Sequence, residues 1–186
     1  MHQVTIYVVA SPVPINWEGP ADLYKSALKS LSKRILRSQA RIVGHTLVVL
    51  NSSHIEGTRA YSISGIKLIE VIKRIFKERI GLGILGSVFK AEMESEQIID
   101  RTLRFNSRKG RVLFIKYLIN EASAKRIIDF FDKFENKFNH HYAPMDFYGG
   151  FLWPLYENEG AGCTALCLCT LIAGNLVNDE AEEWKV

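Results

Sequence analysis

Three cysteines, five histidines and one glycine-rich run hold most of the chemistry open to this chain of 186 residues. Cys163 follows Gly160-Ala161-Gly162 and precedes a long apolar stretch, so it falls where a helix should begin. The first-turn N–H groups of a helix have no intrahelical acceptor, and that end of the dipole is positive. Both effects favour thiolate over thiol and make such a cysteine a candidate nucleophile. The preceding glycines would let a substrate carbonyl approach the backbone closely, and the Cys163 amide could donate to a developing oxyanion. Cys167 and Cys169 fall inside the apolar stretch and read as core thiols. A thiol catalyst needs a base, and His45 is the best placed candidate, among Val43, Leu47 and Val49 in a β-branched run. Alternation puts those residues on one face, the face expected to receive the Cys163 helix.

Other motifs carry less. Gly81-x-Gly83-x-x-Gly86 matches a dinucleotide-binding pattern, but a basic amphipathic segment precedes it where a strand is required. An apolar hinge or flap over Gly81–Phe89 fits better than a cofactor loop. His140-His141 are adjacent and point to opposite sides of an extended chain. The cysteines lack paired zinc spacing, so neither a metal nor an organic cofactor is expected.

The elements that must position these residues follow from periodicity. Val4–Val9 reads as a strand, closed by Ser11-Pro12-Val13-Pro14. Pro20 opens a helix with Tyr24, Ala27, Leu28, Leu31 and Ile35 on one face and Lys25, Lys29, Lys33 and Arg37 on another. Strands are expected over 42–50 and around 60–63, and a helix over 66–80, with a further helix through Glu92–Ile99. Arg111–Ile119 is the clearest later strand. Asn120 or Ser123 could cap a helix carrying Ala124, Ile127, Phe131, Phe134 and Phe138. An aromatic, Gly/Pro-containing loop over 139–162 leads to the apolar helix 163–176. Strands and helices mix without βαβ alternation, which predicts an α+β fold in one domain: a strand and helix over 1–40, a helical insertion over 66–105, and a strand, helix and nucleophile helix over 111–176.

Composition bounds the rest. Apolar residues make 47% and charged residues 24% of the chain, ordinary globular usage. Cys163–Val177 is too short and too interrupted by Thr, Gly and Asn to span a membrane. Met1-His2-Gln3 offers no charged leader and Val4–Ala10 is short for a signal core, which favours a cytoplasmic protein. A periplasmic or exported protein stays open if a signal has been removed, and nothing at Trp184-Lys185-Val186 marks a natural end. The net charge of +4 conceals +10 over residues 1–116 and −6 over 117–186. A basic front half suits wet helix faces or an anionic membrane surface. Nucleic acid is not expected, because the aromatics do not interleave with the Lys/Arg clusters.

Gly44-His45-Thr46-Leu47-Val48-Val49-Leu50 resembles the histidine strand of the circularly permuted papain-like hydrolases, which relate NlpC-type peptidases to lecithin retinol acyltransferase-like proteins. The order is similar as well: the histidine strand, then strand 111–119, then helix 121–138, then Asn158-Glu159-Gly160-Ala161-Gly162-Cys163-Thr164-Ala165-Leu166. The resemblance covers about residues 41–176, and Asp146-Phe147-Tyr148-Gly149-Gly150 is similar to a little-characterised bacterial branch. It implies a small antiparallel sheet packed on a nucleophile helix, with Cys163 as nucleophile and His45 as general base and acid. The family often has a polar residue after the histidine strand, where this chain offers Ser62 or Ser64, neither a His, Asn nor acid. Lys116 and Tyr117 are further options for that role, and Tyr148 or Asn158 could bind the oxyanion. The implied function is a cysteine hydrolase, thiol protease or acyltransferase acting on an amide, ester or thioester of a peptide-like or acyl-lipid substrate. The missing orienting residue favours an alternative: an inactive binding or regulatory module on the same scaffold.

Overall fold

The computed structural model describes residues 1–11, 13–14, 16, 18–19, 21–22, 25–26, 28–29, 32, 44–55, 57–64, 73–74, 77–78, 88–90, 92–140, 146–148 and 162–177. Within these, β1 (His2–Val9), β2 (His45–Asn51), β3 (Thr58–Tyr61) and β7 (Val112–Ile119) form one antiparallel sheet in the order β3-β2-β1-β7. Its strands are rich in Val, Ile, Leu and Tyr, which suit a half-buried pleated surface. The central pair runs without interruption from Gln3 opposite Asn51 to Val9 opposite His45. Two small antiparallel pairs lie outside this sheet. β4 (Ile63–Ser64) pairs with β6 (Glu92–Met93), and β5 (Val88–Lys90) pairs with β8 (Asp146–Tyr148).

Among the described residues, three helices have defined bounds: α1 (Glu96–Ser107), α2 (Glu121–His140) and α3 (Cys163–Ala173). The fold is therefore α+β, the class that the order of strands and helices predicts, with a small antiparallel sheet. The described residues at 21–22, 25–26, 28–29, 32, 73–74 and 77 are helical, where the periodicity places helices. The expected helix through Glu92–Ile99 is corrected. Glu92–Met93 is strand, and the helix starts only at Glu96, after the cap position Ser95. Hence the 66–105 segment is not wholly helical: β5 and β6 lie inside it.

The core fills one face of the sheet. Val4 and Ile6 of β1, Val48 and Leu50 of β2 and Tyr61 of β3 meet Ile127 and Phe131 of α2 and Leu166 and Cys167 of α3, all buried. Phe131 stacks on Tyr61 with ring planes 4° apart. The spacing of Ala124, Ile127 and Phe131 produces this, because three- and four-residue steps keep one helix stripe facing the sheet. Asn120 caps α2, its Oδ1 accepting from the Ser123 amide at 2.8 Å.

Helix α3 is held at its far end. Arg126 of α2 donates to the carbonyls of Ala173 and Gly174, both at 3.2 Å, a cation where the helix dipole is negative. Asn175 adopts φ 54° and terminates the helix. At Gly174 a Cβ would meet Ile127 Cδ1 at 2.9 Å, so a side chain there would make the Ile127 tip shift. No helix among the described residues is long and apolar enough to cross a membrane.

Candidate active site

The site is assembled where β2 begins and α3 begins. Gly44 precedes His45, and a Cβ there would come within 3.3 Å of the Val9 carbonyl. The small residue lets β2 start tight against β1. His45 is 5% exposed and is the first residue of β2 rather than a mid-strand one. This corrects the expected face. The register aligns Val48 with Ile6 and Leu50 with Val4, so α3 packs on the Thr46, Val48 and Leu50 side. His45 has the opposite parity, with Leu47 and Val49. It reaches the thiol because it stands at the end of the strand.

Cys163 opens α3 after Gly162, which sits at the cap position with extended backbone and no capping side chain. The first bond of this helix from a backbone N–H is Leu166 to the Gly162 carbonyl at 2.9 Å. The amides of the first turn are thus left for an incoming group. Burial pushes the Cys163 thiol up, but a hydrogen bond with His45, the imidazole charge, and backbone and side-chain bonds from Thr46 outweigh it. The net effect lowers it from an ordinary 9.0 to about 6. Cys163 as a residue is partly exposed, whereas Cys167 and Cys169 are buried. Burial pushes Cys167 up to about 12. Thr46 of β2 places its hydroxyl towards the sulfurs of both Cys163 and Cys167. That buried oxygen makes no hydrogen bond of ordinary geometry, so a thiolate is the acceptor it serves best.

Behind the imidazole stand two polar groups. His45 Nε2 lies 2.5 Å from Ser62 Oγ and 3.3 Å from Glu94 Oε2. Ser62 is fully buried, and the Glu94 side chain is 4% exposed. With Nε2 engaged there, Nδ1 is the nitrogen left to serve the thiol. The β4–β6 pairing explains the assembly. Ile63 opposes Met93, Ser64 opposes Glu92, and the Glu94 amide donates to the Ser62 carbonyl at 2.8 Å. Ser62 and Glu94, 32 positions apart, are thereby fixed side by side. A cavity of about 320 Å³ opens beside Glu94, lined by Arg59, Tyr61, Met93, Ser95 and Glu96 among others.

Of the sequence candidates, Cys163, His45 and Ser62 are brought together. Ser64 lies in β4 with its backbone opposite Glu92, so the β4–β6 pairing, not the imidazole, defines its place. Tyr148 pairs with Val88 in a separate two-stranded sheet, and Asn158 lies outside the described residues. Lys116 and Tyr117 are corrected: they belong to β7, separated from β2 by β1. Residues 81–87 of the expected flap lie outside the described residues, and Val88 and Phe89 are strand. Glu94 is the residue that sequence reasoning missed. Its only sequence signal is its position just before the Ser95 cap. Among the described residues, no group of three or more His, Cys, Asp or Glu is arranged to hold a metal ion. The chain matches no protein-family model, no curated protein and no solved structure.

Proposed function

We propose that this protein is a cysteine hydrolase or acyltransferase of permuted papain-like architecture. The carrying observation is a partly exposed cysteine at a helix start, its thiol lowered to about 6 by an imidazole and a hydroxyl, with a buried carboxylate behind that imidazole. Cys163 thiolate attacks the carbonyl carbon of an amide, ester or thioester and forms the S–C bond. First-turn amides of α3 receive the oxyanion. The imidazolium gives its proton to the leaving group as the carbonyl reforms and the old bond breaks. Water or a second acceptor then attacks the acyl-enzyme, with neutral His45 taking its proton, and the S–C bond breaks to release the acyl product and restore the Cys163 thiolate beside imidazolium. Ser62 and Glu94 hold the ring in place and favour its charged form. Peptide-like and acyl-lipid substrates both present the carbonyl this chemistry needs.

The inactive-module reading rested on the lack of an orienting residue, and Ser62 with Glu94 supplies one. The test is alkylation by iodoacetamide followed by peptide mass analysis. Cys163 is expected to label with a rate that rises through about pH 6 and levels by pH 7, while Cys167 and Cys169 stay unlabelled. Equal and slow labelling of all three would reject the proposal.

A further inference from the structure

We infer that the outer edge of β7 is the interface of a homodimer, in which β7 pairs antiparallel with its copy and joins two four-stranded sheets into one of eight strands. β7 ends the sheet order, with no neighbour beyond β1 among the described residues. Soluble proteins guard such edges with proline, bulges, short length or inward charge. Here the strand is eight residues long, Val-Leu-Phe-Ile-Lys-Tyr-Leu-Ile, with no proline and a single charge. Its pairing with β1 runs unbroken from His2 opposite Ile119 to Val9 opposite Val112, so no bulge twists it away.

The strand is apolar and exposed on both faces. Leu113 (72%) and Ile115 (57%) share the face of Val4 and Ile6 but lie beyond the buried core, and Phe114 (60%) and Leu118 (65%) occupy the other face. At roughly 150–200 Å² per large apolar side chain, these four expose on the order of 450 Å² per copy. Pairing with a copy would cover the flanks of these side chains, the neighbouring Val8 and the open backbone edge of the strand.

Self-complementarity selects a second copy as the occupant. A twofold axis normal to the sheet keeps each face continuous, so residues of equal parity must oppose one another. Centred on Ile115, it sets Ile115 against Ile115, Leu113 against Tyr117, Val112 against Leu118, and Phe114 against Lys116. Both faces then gain apolar cross-strand pairs, and the one ammonium meets an aromatic ring. Centring on Lys116 instead would oppose two like charges, which disfavours that register. This inference is independent of the thiol chemistry, since the Cys163 site lies at the β2 side of the sheet.

Sedimentation equilibrium of the full chain between 1 and 100 μM tests it, with hydrogen exchange read at the amides of residues 112–119. The expected result is a species of twice the chain mass, with slow exchange along β7. Ile115→Lys should raise the dimer dissociation constant about tenfold while leaving the far-ultraviolet circular dichroism unchanged. Should that variant misfold, Ile115→Cys in a Cys163→Ala background reports the register. Directly opposed strand residues stand at disulfide-compatible separation, so mild oxidation should give a covalent dimer that Lys116→Cys does not give. A monomer at 100 μM, a dimer that survives Ile115→Lys in folded protein, or equal cross-linking at 115 and 116 would overturn the inference. So would a monomer whose β7 amides become protected only on adding an unrelated extended peptide.

Discussion

Cys163 and Cys167 stand one turn apart on α3, and the Thr46 hydroxyl faces both sulfurs, yet one thiol is lowered to about 6 and the other raised to about 12. Burial pushes both upward. The difference is what opposes it. Cys163 at the first turn gains the imidazole of His45 and the backbone and hydroxyl of Thr46, whereas Cys167, one turn into the core, gains the Thr46 hydroxyl alone. A helix can therefore carry a thiol held low and an inert core thiol side by side, and the partner strand decides which is which. That contrast is broken most completely by removing the imidazole. In His45→Ala the effect of burial is opposed only by Thr46, so Cys163 should return towards or above 9.0 and resemble Cys167. At pH 7 its alkylation should then fall by about 100-fold, the loss of thiolate fraction, and turnover by about 10⁴-fold or more because proton transfer is lost too. Stopped-flow alkylation across pH 5–9 checks the first figure.

The same contrast shows which features the sequence could reveal. The position of Cys163 after three small residues, the β-branched strand around His45 and the three-and-four spacing of α2 are local patterns, and each is present in the fold. The face assignment of His45 failed because alternation gives parity but not where a strand starts, and the end residue escapes the parity rule. Glu94 stayed hidden for a different reason. It meets Ser62 through a two-residue strand pair across 32 positions, and no periodicity can signal so short a non-local pairing. A lone glutamate before a helix reads as solvent-facing, and burial of its side chain is decided entirely by tertiary contacts.

Glu94 sharpens the comparison at one remove, since it acts on Cys163 through His45. Glu94→Gln keeps the shape and removes the negative charge 3.3 Å from Nε2. The imidazolium loses support, so the thiolate it stabilises loses support as well. The midpoint of Cys163 alkylation should move up from about 6, and turnover should fall about tenfold, since Ser62 still holds the ring. Glu94→Asp should recover part of both, whereas a purely structural role would change stability and leave the alkylation midpoint in place. Cys167 should be unaffected, because no interaction with His45 contributes to its shift.

Thr46 gives the smallest effect and the finest test, because it is shared. Thr46→Val removes the hydroxyl and keeps the volume, so the Cys163 midpoint should rise by about half a unit. The backbone bond from position 46 is retained. Cys167 would lose its one lowering influence and stay unreactive. The stability effect should change sign with pH. A group held below its ordinary value stabilises the fold fully above 9.0, and that contribution is lost as pH falls through about 6. Below pH 6 the thiol is neutral and the Thr46 hydroxyl is a buried donor without a conventional partner, so valine should be neutral or stabilising by up to about 1 kcal/mol. As pH rises through about 6 the hydroxyl comes to serve a thiolate, and by pH 7 to 8 the variant should be the less stable protein. Urea unfolding of both proteins at pH 5 and pH 8 measures this crossing, and a difference independent of pH would mean that Thr46 does not contact the charged sulfur.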